Sequence, residues 1–212
     1  RTGPRVKLFE IPINAPSPYL SDRVDQSFLA LRQRLAADGG WDFLAQLDNM
    51  FEAIEEKSAP GQSNQTWNKA GRAIDLAYRA VLSFEPRVEI VREDMGLETY
   101  WRVYVRADAQ DGSQGEPLRE LPWDFRARFG DEPQYYDEGG VLKETIPAGY
   151  YVDFTNLAAD YGWTRVPADD NWRTFFAGIG FWHYENRQDL TWEEAMLEIQ
   201  PEALLRQTFP DR

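Results

Sequence analysis

The chain has 212 residues, 42% of them hydrophobic and 28% charged, which is enough apolar material for one folded core and too much for a disordered segment. Its formal net charge of −13 offers no basic footprint for nucleic acid and disfavours an anionic membrane surface. It has no cysteine, so disulfides, thiol nucleophiles and thiolate metal ligands are excluded, and its one histidine, His183, excludes zinc sites built from two or three imidazoles of a single chain.

Residues 1–19 contain Pro4, Pro12, Pro16 and Pro18 and read as an extended arm or linker ahead of a single domain over 20–212. The chain opens on Arg1 rather than Met, as a processed chain or an excised domain would. A first helix is expected from near Ser21, with Val24, Phe28, Leu31 and Leu35 on one face and Gly39-Gly40 as its stop. A second is expected after Asp42, because Phe43, Leu47, Met50, Phe51 and Ile54 recur at helical spacing before Pro60-Gly61.

From Ala73 the pattern changes to strands. Residues 87–91 alternate, and 100–105 are aromatic and β-branched. The polar run 108–116 (DAQDGSQGE) reads as a hairpin tip, since its acidic spacing does not match an EF-hand loop. Residues 118–134 carry Pro122, Trp123, Phe125 and Phe129 without a period and read as an irregular, aromatic-anchored loop. A short helix over 154–161 has Asp153 or Thr155 as its cap and Gly162 as its stop. Strands follow at 163–166 and 180–185, and the capping box Thr191-x-x-Glu194 opens a last helix to Ile199. Helices flanking a mostly antiparallel sheet make the fold class α+β. No apolar run approaches the ~18 residues of a membrane span, so no membrane insertion is expected.

Two segments carry chemistry together. The first is Thr66-Trp67-Asn68-Lys69-Ala70-Gly71-Arg72-Ala73-Ile74-Asp75 and the second Gly180-Phe181-Trp182-His183-Tyr184-Glu185. The first resembles the S-x-H-x-x-G-x-A-x-D signature of the zinc D-Ala-D-Ala carboxypeptidases and dipeptidases (the VanY and VanX type). The second is similar to that family's E-x-W-H ending. The resemblance spans about residues 60–185 and implies a D-Ala-D-Ala-metallopeptidase-like fold. It also implies a zinc site in which two imidazoles and a carboxylate leave the fourth position to water, with a Glu as acid/base. Beside it, the chain resembles domains that accompany propeller-like repeats in bacterial multidomain proteins.

Two decisive positions depart from that pattern. Asn68 stands where the first His should be, and a neutral amide is a poor substitute for imidazole on zinc. Gly180 stands where the catalytic Glu should be and cannot move a proton. Asp75 and His183 remain as vestigial metal ligands, the two through which zinc could still be held. Alternation puts Glu185 on the face of His183, not where a residue three earlier would point. The resemblance therefore implies a non-catalytic, extracellular or cell-envelope domain. Its old cleft, formed by Thr66, Trp67, Asn68, Arg72, Asp75, Trp172, Arg173, Trp182 and His183, would bind a peptidoglycan peptide, a glycan or a neighbouring domain.

Two alternatives stand beside this. An active hydrolase would use Asp153, Glu144 or Glu185 as base, and a purely structural module would use no cleft at all. For single residues, His183 suits a buried imidazole bonded to Asp75 or a carbonyl, Asp75 suits a salt bridge with Arg72 or Arg79, and Arg165 and Arg173 suit either a ligand carboxylate or surface ion pairs.

Overall fold

A computed structural model describes residues 6–210. Strands β1 (Leu8–Glu10) and β2 (Tyr19–Ser21) form an antiparallel hairpin, followed by α1 (Asp25–Gly39) and then β3 (Leu47–Asn49) and β4 (Ala73–Leu76). After the single turn α2 (Arg79–Leu82) come the long strands β5 (Val88–Met95) and β6 (Glu98–Arg106), then β7 (Glu116–Pro117), β8 (Trp123–Asp124), the short α3 (Pro133–Asp137) and β9 (Val141–Leu142). The chain closes with β10 (Tyr150–Asp153), α4 (Phe154–Asp160), β11 (Thr164–Arg165), β12 (His183–Glu185), α5 (Trp192–Ile199) and α6 (Glu202–Thr208). Two four-stranded antiparallel sheets, ordered β5-β6-β10-β7 and β11-β12-β4-β3, share the molecule with the helices, so the fold is α+β.

Helix α1 obeys its sequence. Val24, Phe28, Leu31 and Leu35 are all buried, and Gly40, at φ 77°, donates its N–H back to Ala36. Its buried face meets Trp163 edge-on through Phe28. The expected second helix does not form. Residues 43–45 make one 3₁₀ turn, and 47–49 extend as β3 to pair with β4. The apolar stripe is real, since Phe43, Leu47, Met50 and Ile54 are all buried, but pairing with β4 overrides the local period. The arm also departs from expectation. Its residues 8–10 are extended but pair with β2, and Ile11 is buried in the main core, while residues 1–5 lie outside the described range.

The segment 108–116 is not a hairpin tip. It links β6 to β7, which are separated in the sheet by β10, and Gly115 packs against the Tyr151 backbone as the chain crosses over. The aromatic loop 118–134 is partly ordered as β8 and a 3₁₀ turn, and its Trp123 and Phe125 rings enter the core while Phe129 stays exposed. Trp101 on β6 meets Trp123, Phe125 and Trp172 at centroid distances of 6.2, 4.9 and 5.0 Å. Helix α4 is capped by Asp153, which accepts from Asn156 N–H, and α5 has both bonds of the Thr191/Glu194 box.

Trp101 is 1% exposed and holds three other rings together, so Trp101→Ala leaves a cavity that those rings cannot refill. A loss of about 3–5 kcal/mol is expected by chemical denaturation. Leu97→Ala at the fully exposed β5–β6 turn should stay within about 0.5 kcal/mol of the parent.

Candidate functional site

The site begins with strand register. In the β4–β12 pair His183 lies opposite Asp75, Tyr184 opposite Ile74 and Glu185 opposite Ala73. Because side chains alternate along a strand, Ile74 and Tyr184 enter the core fully buried while Asp75, His183 and Glu185 share the other face. Tyr184 anchors the inward side, with its hydroxyl 2.8 Å from that of Thr155 and its ring edge-on to Phe154. Whatever sits on the outward side is thus held by packing it does not itself supply.

On that face the imidazole of His183 lies between two carboxylates. Nδ1 is 2.6 Å from Asp75 Oδ1 and Nε2 is 3.0 Å from Glu185 Oε1. Glu185 also accepts from Arg187 Nε at 2.5 Å. The His183 side chain keeps 20% of its surface accessible, and burial opposes its charge. The charges and hydrogen bonds of Asp75 and Glu185 outweigh that and push its pKa up to about 10. Burial pushes the Glu185 carboxyl up, but His183 and Arg187 outweigh it and hold it below the usual carboxylate value. Both ring nitrogens therefore face a carboxylate oxygen, an environment that favours the protonated imidazolium.

These three residues lie in an open cleft of about 1130 Å³. One side is formed by Asp48, Glu52 and the polar loop 56–66, the other by residues 166–182 including Asp169, Asp170, Phe176 and Trp182. Thr66, Asn68, Asp75, Gly180, Trp182 and His183 all line it, so the two motif segments do converge. Their roles differ from those the resemblance implies. Thr66 donates to Glu52 Oε2 at 2.7 Å, and buried Asn68 donates through Nδ2 to the Met50 carbonyl at 2.7 Å. Both therefore brace residues 50–52 instead of reaching toward His183. Gly180 sits at φ 68°, and a Cβ there would meet only Val166 at 3.8 Å, so open space stands where the family's Glu would project.

The remaining expected cleft residues lie elsewhere. Trp67 is buried in a second apolar cluster with Ile54, Met196 and Leu205, with Arg187 over its ring. Arg72 is 1% exposed and turns away from Asp75 to Glu198 Oε2 at 2.7 Å and to the Asn186 carbonyl, so the expected Asp75–Arg72 pair is replaced by Asp75–His183. Trp172 is buried against Trp101 and Trp123, and its neighbour Arg173 pairs at the surface with Glu138. Arg165 is taken by Glu93 at 2.5 Å. Of the alternative bases, Asp153 caps α4 and pairs with Arg102, and Glu144 is exposed; neither lines the cleft. Tyr78, Phe176, Asp169 and Asp170 were not singled out by the sequence, because they sit in loops where no period marks one face.

As arranged, these residues do not fit zinc. Both ring nitrogens of His183 face carboxylates, the Asn68 amide is spent on backbone, and among the described residues no three His, Cys, Asp or Glu side chains are grouped to hold an ion. Comparison of the chain with models of known families, with curated proteins and with solved structures gave no match.

The charged clamp sets a pH dependence. A folded pKa near 10, above the ordinary 6.5, means the stability contributed by His183 is complete below 6.5 and is lost as pH rises through 10. Imidazole-optimised ¹H–¹⁵N NMR should show both ring N–H groups at pH 8; a neutral ring at that pH would contradict the clamp. In Asp75→Asn the ring's titration midpoint should drop by at least about one unit.

Proposed function

We propose that this chain is a non-catalytic relative of the zinc D-Ala-D-Ala peptidases whose cleft binds a peptide segment, either from the cell wall or from a partner protein outside the cell. One observation carries the reading. The positions that match the family's metal ligands and acid/base line one cleft, yet there the imidazole is a clamped proton donor and position 180 has no side chain. Zinc peptidase chemistry needs a ligand lone pair and a carboxylate free to take a proton from water. In this cleft both ring nitrogens of His183 already face carboxylates, and Glu185 is engaged by His183 and Arg187. The surviving shape suits recognition: a large concavity, a rigid strand floor and aromatic side chains at its edge.

The Phe176 and Trp182 rings favour a second reading, since they stack at 5.6 Å with 20° between planes and line the cleft. Such a surface also suits the face of a sugar ring.

Incubation with a stem peptide ending in D-Ala-D-Ala, with and without added zinc, should release no D-alanine. The same peptide or a soluble glycan–peptide fragment should change tryptophan emission in the parent and not in Trp182→Ala. Zinc-dependent turnover that His183→Ala abolishes would overturn the non-catalytic reading, and no response to any peptide or fragment would overturn the binding reading.

A further inference from the structure

The cleft's own walls constrain its ligand further. Tyr78, Trp182 and Phe176 form a continuous aromatic run in it, with Tyr78 5.4 Å from Trp182 and 5.9 Å from Phe176, and all three rings are only partly buried. This run is bordered by carboxylates at both ends. Asp48 accepts from the Tyr78 N–H at 3.2 Å. Asp169, whose N–H donates to the Gly178 carbonyl, holds its carboxylate close to Gly178, two residues beyond Phe176, and Asp170 follows it.

Charge in the cleft is one-sided. Seven carboxylates line it against Lys57, Arg187 and the single imidazole of His183. His183 and Arg187 are already spent on Asp75 and Glu185. Asp48, Asp169 and Asp170 form no ion pair among the described residues. The arginines that might have gripped a ligand carboxylate, Arg165 and Arg173, are bound to Glu93 and Glu138 instead. An anionic peptide end would therefore meet a net negative field, with Lys57 the one lining cation that forms no ion pair among the described residues, and a neutral sugar would leave the carboxylates uncompensated. A single metal ion does not answer the charge either, because among the described residues these groups are not gathered to hold one. Ammonium or guanidinium groups satisfy both features at once, lying over aromatic faces and pairing with the bordering carboxylates. At about 1130 Å³ the cleft lies at or beyond the upper end of small-ligand sites, roughly 300–1,000 Å³, which favours several residues of chain over one small amine.

We propose that the cleft takes an extended basic peptide segment, its lysine or arginine side chains lying against Tyr78, Trp182 and Phe176 and pairing with Asp48, Asp169 and Asp170. This rests on the reading of the cleft as a peptide site and specifies the class of peptide.

The test is calorimetric titration of the full chain with three blocked pentapeptides, penta-lysine, penta-glutamate and a neutral Gly/Ser peptide, together with the D-Ala-D-Ala stem peptide. Penta-lysine should bind at least tenfold more tightly than the other three and weaken severalfold as salt is raised. The double variant Asp169→Asn/Asp170→Asn should weaken it at least tenfold without moving the Tm. Asp131→Asn/Glu132→Gln, which removes equal charge away from the cleft, should leave it unchanged. Equal weakening in both double variants would show diffuse attraction to an acidic protein and overturn the proposal, as would penta-lysine binding no better than the neutral peptide. Binding of the stem peptide without penta-lysine would sink the basic-segment assignment alone, whereas silence from every peptide would sink the peptide-site reading as well.

Discussion

The antiparallel register between β4 and β12 is the constraint on which the site depends. It fixes Ile74 and Tyr184 as core residues and by the same alternation turns Asp75, His183 and Glu185 into the cleft. A one-residue slip of β12 against β4 would bury the His183 imidazole and the Glu185 carboxylate and expose Tyr184. The cost of that exchange, with unpaired charge taken out of water, is what keeps the polar trio in place. The Tyr184–Thr155 hydroxyl contact and the bond from Val103 N–H to Thr155 Oγ1 tie the inward side of this strand pair to β6 in the other sheet, so the two sheets position the cleft jointly.

The two aromatic assemblies do different work. Trp101, Trp123, Trp172 and Phe125 are buried and fill the interior, whereas Tyr78, Phe176 and Trp182 are half-covered and line the cleft. Phe181 joins them, stacked on Phe125 on one side and edge-on to Trp182 on the other. Rigid packing of the first group therefore extends to the rings of the second, which keeps their faces presented without a ligand to order them.

Much of the secondary structure is legible in the sequence where one physical signal dominates. The strands β5 and β6 show in the alternation of 87–91 and the aromatic and β-branched run 100–105, α1 in its buried stripe and Gly40, and α5 in its capping box. Residues 43–54 mislead because their apolar spacing suits a helix in isolation, while the free edge of β4 needs a partner that only residues 47–49 supply. At the site, the Asp75–His183 contact is legible from two strands in the right order, and the sharing of a face by His183 and Glu185 follows from alternation. The directions of Arg72 and Trp172 are not legible. Their partners, Glu198 and Trp101, are 126 and 71 positions away, and local pattern carries nothing about contacts at that range.

The β1–β2 hairpin lies directly over the turn that carries Thr66 to Gly71. Ser21 N–H donates to the Gly71 carbonyl, Leu8 abuts Gly71, Asp22 N–H reaches Lys7, and Val6 N–H bonds to Glu198, the residue that holds Arg72. A chain shortened to begin at residue 20 would strip this cover. It would leave the Gly71 turn unshielded, Arg72 and Glu198 newly wetted, and what remains of β2 without its mate, so residues 6–19 pack as part of the fold they precede.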